Sequence, residues 1–164
     1  MLKPRVRWMI ARDMPTVYAI EDRSFEYRWT TEDFTRAIRT RNCMSLVAEI
    51  EEAVAGYVVY AIHRDRLRIL NFAVHPDLRR QGVGRVMVQK LVGKLSPNRR
   101  NRITLEVRET NLEAQLFFRA LGFRAVRIEH GFYQETTEDA YVFQYRLPIS
   151  QRTSDEIVRC LDLP

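Results

Sequence analysis

Residues 70–91 spell out a strand, a basic turn holding two glycines and a helix, the element around which the rest of the chain is organised. The apolar run Leu70-Asn71-Phe72-Ala73-Val74 ends just before His75-Pro76. Proline has no N–H to donate to a ladder, so the strand closes there. Val83, Val86, Met87 and Leu91 then recur at helical spacing, so the period changes within eight residues. Between the two elements stands Arg79-Arg80-Gln81-Gly82-Val83-Gly84-Arg85. It sets side-chain-free backbone and several guanidinium groups around the first turn of a helix. The N–H groups there have no intrahelical partner and carry the positive end of the dipole, and glycine lets an anion approach the backbone closely. Two familiar phosphate loops are excluded. No Gly-Lys-Ser/Thr is present to hold a triphosphate and its magnesium, and Gly82-Val83-Gly84-Arg85-Val86-Met87 lacks the third glycine of a dinucleotide fingerprint.

The chain has 164 residues, 46% of them hydrophobic, which suits one compact domain with a sizeable core, expected over residues 1–149. A polar tail over 150–164 follows, where Thr153-x-x-Glu156 could open a short helix. The formal charge of +6 comes from 27 basic against 21 acidic residues, and lysine occurs only at Lys3, Lys90 and Lys94. Such a surface suits an anionic cofactor, an acidic peptide or RNA. No aromatic-basic stacking signature accompanies the charge, which argues against nucleic acid. Cys43 and Cys160 form no C-x-x-C pair, so neither a metal site nor a disulfide framework is signalled. The longest apolar runs, such as Ala53 to Ile62, are too short to span a bilayer and no signal-peptide core precedes them; a cytoplasmic protein that avoids membranes is expected.

In order, Val6, Trp8 and Ile10 alternate as a first strand, and Asp13 with Pro15 opens a helix to about Phe25. After Trp29, Thr30-x-x-Asp33 has capping-box spacing before a second helix carrying Phe34, Ala37 and Ile38. Ser45 to Glu49 and Ala53 to Ile62 read as a hairpin about Glu51-Glu52, and a further turn at His63-Arg64-Asp65 leads into the strand ending at Val74. Ser96-Pro97-Asn98 and Arg99 to Arg102 mark a solvated turn before a strand over Ile103 to Val107. Thr110-x-x-Glu113 is expected to cap a fourth helix bearing Leu112, Leu116, Phe117 and Leu121, which stops at Gly122. Two last strands, Phe123 to Ile128 and Ala140 to Leu147, flank a polar loop containing Gly131-Phe132-Tyr133.

The order β-α-α-β-β-β-α-β-α-β-β predicts an α/β (α+β) domain with a mixed sheet. With the Val74-His75-Pro76 ending and Arg79-x-x-Gly82-x-Gly84, it resembles the GNAT acetyltransferases over about residues 5–147. Trp29-Thr30, Phe72-Ala73-Val74, Leu105-Glu106-Val107-Arg108, Asn111, Leu121-Gly122-Phe123 and Phe132-Tyr133 resemble the RimI-type branch, which acetylates protein N-termini. The resemblance implies a mostly antiparallel sheet flanked by helices, with acetyl-CoA held at a splayed strand pair. Its pyrophosphate would meet Arg79, Arg80, Gln81, Gly82, Val83, Gly84 and Arg85, and the backbone of Phe72, Ala73 and Val74 would face the developing oxyanion. Asn111 would hydrogen-bond CoA, although its position at a helix start equally suits a cap. Trp29, Phe132 and Tyr133 would line a groove for the acceptor. No metal is implied, and the enzyme would be a monomer or homodimer.

A thioester is already activated, so an amine can attack it directly and no protein nucleophile is required. The amine must be neutral. With reference pKa values of about 7.7–8.0 for an α-amino group and about 10.4 for lysine, roughly a quarter to two-fifths of the former and ~0.1% of the latter is neutral near pH ~7.5. In the resemblance Glu106 is the general base, through a bridging water if need be; read from the residues alone, the pattern favours a strand-face carboxylate paired with an arginine. His63 and His75 fall in turns and read as surface residues. The family's general-acid tyrosine falls at Phe118, which has no proton to give and would pack over the pantetheine or in the core. Tyr133 is the candidate for that role. Two alternatives stand beside protein N-terminal acetylation: acetylation of a small amine or a lysine side chain, and a non-catalytic acyl-CoA-binding module.

Overall fold

The computed structural model describes residues 3–148, so the expected helix in the tail lies outside the described residues. Strands are β1 (Arg5–Trp8), β2 (Cys43–Ile50), β3 (Ala53–Ile62), β4 (Arg66–Val74), β5 (Arg102–Arg108), β6 (Arg124–Tyr133) and β7 (Glu138–Arg146). Helices are α1 (Met14–Ser24), α2 (Thr31–Arg39), α3 (Val83–Val92) and α4 (Leu112–Ala120). The strands form one seven-stranded mixed sheet in the order β1-β2-β3-β4-β5-β7-β6, flanked by helices. Two compact units share β4: one runs through Ile62 and resumes over Ile69–Gly93, while the other takes His63–Arg68 and continues from Lys94.

In the first unit β2 and β3 pair as the expected hairpin, from Cys43↔Ala61 to Ile50↔Ala53. Glu51 and Glu52 turn it with φ of 49° and 67°. The core gathers Val17 and Ile20 of α1 and Phe34 of α2 on Val47, Tyr57, Val59 and Ala73. The capping box of α2 forms as expected: Asp33 N donates to Thr30 Oγ1 at 3.2 Å, and Thr30 N to Asp33 Oδ2 at 2.8 Å. Asp13 does not cap α1. Its carboxylate instead accepts from Arg7 and from Ile10 N at 2.8 Å, because a guanidinium outcompetes the helix N–H groups for a buried carboxylate.

In the second unit β4 pairs in parallel with β5 from Arg66↔Arg102 to Arg68↔Thr104. β5 pairs antiparallel with β7 from Arg102↔Arg146 to Arg108↔Ala140, and β7 with β6. Ile103, Leu105 and Val107 alternate inward along β5. Two boundaries differ from the sequence reading. Gly131-Phe132-Tyr133 belongs to β6 and not to a loop; Gly131, at φ 60°, lies within a register shift between Glu129 and Tyr133, so the strand bends and continues. The cap of α4 is Asn111, whose Oδ1 accepts from Ala114 N at 3.1 Å, whereas Thr110 donates its hydroxyl to Glu138. That helix ends at Gly122 (φ 92°) as expected, although Leu112 and Leu116 are exposed.

Candidate active site

Within the first unit, the phosphate-type loop is built by β4 and α3. After Val74 the chain makes one 3-10 turn over Pro76–Leu78 and then takes positive φ at Arg80 (62°) and at Gly82 (83°), the N-cap of α3. Left-handed residues in such a loop turn successive N–H groups toward one side, the arrangement that holds an anion. Arg80, Gln81, Gly82 and Arg85 are exposed, whereas Val83 and Gly84 are buried in the first turn of α3. A Cβ at Gly82 would meet nothing, so glycine answers its backbone conformation there and no crowding. Arg79 turns back instead: its Nε donates to Val74 O at 3.2 Å and stitches the loop to the strand it leaves.

His75 has a structural part in the same turn. Its Nδ1 accepts from Asp77 N at 3.2 Å, its backbone N–H donates to Ala55 O at 2.8 Å, and Arg23 lies 3.1 Å from Nε2. Gly56 sets the depth of α3: a Cβ there would come within 2.9 Å of Ala73 O and 3.0 Å of Met87 Cε. The signal for it was one glycine inside an otherwise β-branched strand.

Trp29, in the connection between α1 and α2, is half-buried, its ring edge-on to Phe34 at 5.1 Å. Its backbone N–H donates to Glu21 Oε1 at 2.7 Å. Glu21 is only 2% exposed; its Oε2 accepts from Asn71 Nδ2 at 2.9 Å and from the Tyr57 hydroxyl. Burial and the Glu21 carboxylate push the Tyr57 phenol far up, so it stays a donor. Nothing in the sequence marks Glu21 as buried; only the fold shows that its carboxylate turns inward to anchor the Trp29 segment. Phe72, Ala73 and Val74 close β4, with Ala73 buried.

Within the second unit, Glu106 faces off β5 with a side chain 16% exposed. Arg68 meets both of its oxygens, Nη2 at 3.1 Å from Oε1 and Nε at 3.3 Å from Oε2. The arginine pair anticipated for a strand-face carboxylate is therefore present, and each oxygen keeps lone-pair capacity for water. Tyr133, at the end of β6, lies beneath the Arg108 guanidinium, 3.7 Å from its ring centre. Burial pushes its phenol up to about 12, reinforced by the charges of Glu106, Glu138 and Glu135 and opposed by Arg108, so the hydroxyl is protonated at neutral pH. Phe132 packs edge-on against Tyr133 at 5.0 Å and is 40% exposed. Arg108 also donates to Thr136 at 3.0 Å and Glu138 at 2.9 Å, which fixes the β6–β7 turn. Asn111 spends its carbonyl on the α4 cap. Phe118 is 3% exposed between Phe117 and Phe123, with centroids at 4.9 and 5.2 Å: a core residue.

The chemistry these residues could support is proton acceptance at Glu106, proton donation at Tyr133 and anion capture at the α3 start. Among the described residues no helix is long and apolar enough to cross a membrane. A sequence profile described as Acetyltransferase (GNAT) family matches residues 14–123. The ribosomal protein bS18-alanine N-acetyltransferase of Escherichia coli (strain K12) is 29% identical over 140 residues, 84% of this chain and 93% of that protein. The crystal structure of the ribosomal-protein-S18-alanine N-acetyltransferase from Escherichia coli is similar with a TM-score of 0.77 at 24% identity, covering 88% of this chain and 94% of that one. Arabidopsis thaliana NAA60 in complex with acetyl-CoA reaches a TM-score of 0.75 at 21% identity over 88% and 98% of the two chains.

Proposed function

This chain belongs to the Acetyltransferase (GNAT) family, and from that premise we propose that it transfers the acetyl group of acetyl-CoA to the N-terminal α-amine of a protein, in the cytoplasm. The similarity to a bS18-alanine N-acetyltransferase over 84% of the chain is the observation that carries the choice of acceptor. The cofactor reading is supported by the positive-φ loop at the start of α3 and by the acetyl-CoA complex of a protein of the same fold.

In this reading the N–H groups of residues 80–84 and the guanidiniums of Arg80 and Arg85 hold the pyrophosphate, and Arg79 braces the loop. The N–H groups of Phe72 to Val74 meet the oxyanion. The neutral amine attacks the thioester carbonyl carbon, its proton passes to Glu106 through water, the C–S bond breaks, and the sulfur takes a proton from Tyr133 or from solvent. A leaving thiol of reference pKa about 8.5 needs little acid help, which is consistent with a phenylalanine at Phe118. Within the second unit Asn111 caps α4 and Phe118 fills its buried side, a part in holding the cofactor being indirect; Trp29 in the first unit and Phe132 and Tyr133 in the second are each assigned to contact with the acceptor.

Acceptor-dependent release of free CoA tests the reading, with a panel of peptides with free N-termini, N-blocked lysine peptides and polyamines, and with Glu106→Gln alongside. Release with α-amine peptides, reduced at least ~10²-fold in the variant, is the expected result. Release only with lysine peptides or polyamines overturns the acceptor assignment, and bound acetyl-CoA that no amine consumes overturns catalysis.

A further inference from the structure

The register of the second unit places six arginines on the same sheet face as Glu106. Cross-strand partners share a face and alternate residues return to it. The rows are Arg66–Arg102–Arg146, then Arg68–Thr104–Gln144–Arg124, then Glu106–Val142–Arg127, crossing β4, β5, β7 and β6. The opposite face carries Ile103, Leu105 and Phe143, all buried, with Phe123 packed on Tyr145.

Six arginines thus surround one carboxylate. Arg68 is held by Glu106, Arg66 and Arg102 share Asp65, and Arg127 pairs with Glu129. Arg124 and Arg146 are exposed and form no ion pair among the described residues, and the Nε of Arg102 is buried without a hydrogen-bond partner. Like charges directly opposite one another destabilise a sheet; Asp65 offsets Arg66 and Arg102, which leaves Arg146 at the end of that row and Arg124 in the next with no carboxylate among the described residues.

We infer that this face receives the acceptor polypeptide beyond its reacting amine and selects acidic side chains there. The inference rests on the α-amine transfer proposed above. Any acceptor must bring its amine to Glu106, and the Arg102 row lies four strand residues away, about 13 Å. An extended acceptor spans that distance with about four residues, so carboxylates near its fourth to sixth positions would meet Arg102, Arg146 and Arg124. Thr104 and Gln144, half-buried between the rows, add hydrogen-bonding capacity. RNA fits the face less well: no aromatic side chain occupies these positions for base stacking, and Glu106 would repel a passing phosphate chain.

The test uses the full chain and peptides with free N-termini that share their first three residues and carry Asp-Asp-Asp, Asn-Asn-Asn or Lys-Lys-Lys at positions four to six. The Asp peptide is expected to exceed the Asn peptide in kcat/KM by about three- to tenfold, through KM, with the advantage shrinking as salt is added. Arg124→Ala combined with Arg146→Ala should bring the Asp/Asn ratio to near one. Arg41→Ala, on the exposed turn before β2, should leave the ratio as it was. Equal kcat/KM for the Asp and Asn peptides overturns this inference alone, and transfer to no α-amine peptide overturns it together with the reading it rests on. A salt-sensitive affinity for single-stranded RNA that the double variant loses, with the peptide ratio unmoved, reassigns the face to nucleic acid and likewise overturns it.

Discussion

Glu106 carries an arginine partner and the proposed role of base, and the two are compatible because Arg68 fixes the carboxylate without occupying all its lone pairs. Replacing it with glutamine keeps the shape and removes the proton acceptor. Glu106→Gln should lower kcat by ~10²–10⁴-fold with an unchanged circular dichroism spectrum. Tyr133 owes its raised phenol pKa to its burial. A phenol raised to about 12 is protonated from neutral to mildly alkaline pH, so it contributes no titration step there. Tyr133→Phe should therefore reduce kcat by about ten- to hundredfold, by the same factor from pH 6 to 10; a reduction that changes with pH would remove it as the acid. Glu21 is the residue that sequence could not rank. Its helix position looks solvated in a heptad sense, and only the arrival of Tyr57, Asn71 and Trp29 N–H from three other segments shows that it is buried and satisfied. Glu21→Ala would leave those donors without an acceptor and should cost about 3 kcal/mol in a urea unfolding curve.

At the scale of elements, α3 is the part on which cofactor binding is proposed to depend, and the missing Cβ of Gly56 is what lets it approach β3 closely. Gly56→Ala pushes a methyl into the Ala73 carbonyl and into Met87 and Val83 of α3. About 2 kcal/mol of stability should be lost, and KM for acetyl-CoA should rise while kcat moves little, measured by thermal melts and steady-state kinetics. β1 is tied by charge: Arg7 bridges Asp13 and Glu49, and Arg5 adds to Glu49. These arginines hold both carboxyl groups below the usual range. A depressed folded value means stability that is complete above the unfolded pKa values of about 4 and lost as the pH falls through the lower folded ones. Arg7→Ala should lower the urea midpoint at pH 7 and flatten its fall below pH 4. The strand–loop–helix at residues 70–91 and the Thr30–Asp33 cap were legible because their signals are local: a change of period, a proline, a side chain three residues from its partner. The Gly131 bend and the identity of Arg68 as the arginine that pairs with Glu106 were not, since each is decided by which strands become neighbours. Thr110 and Asn111 are adjacent and both competent caps; the choice fell to Asn111 because Glu138 of β7 claims the threonine hydroxyl.

For the molecule as a whole, the order of elements was readable and the strand order β4-β5-β7-β6 was not, because hydrophobic pattern assigns strands without assigning neighbours. That order brings Glu106, Tyr133 and the arginine face onto one unit. A chain of net charge +6 that holds an anionic cofactor only when folded should gain stability from it: acetyl-CoA at a hundred times its dissociation constant adds about 2.7 kcal/mol, read as a rise in Tm that Gly82→Ala diminishes. The most direct test of the proposed activity is internal competition within one peptide that bears a free α-amine and one lysine side chain, incubated with the enzyme and acetyl-CoA and mapped by tandem mass spectrometry. Acetyl on the α-amine with the lysine unmodified is the expected result; acetyl on the lysine with the N-terminus still free would contradict it.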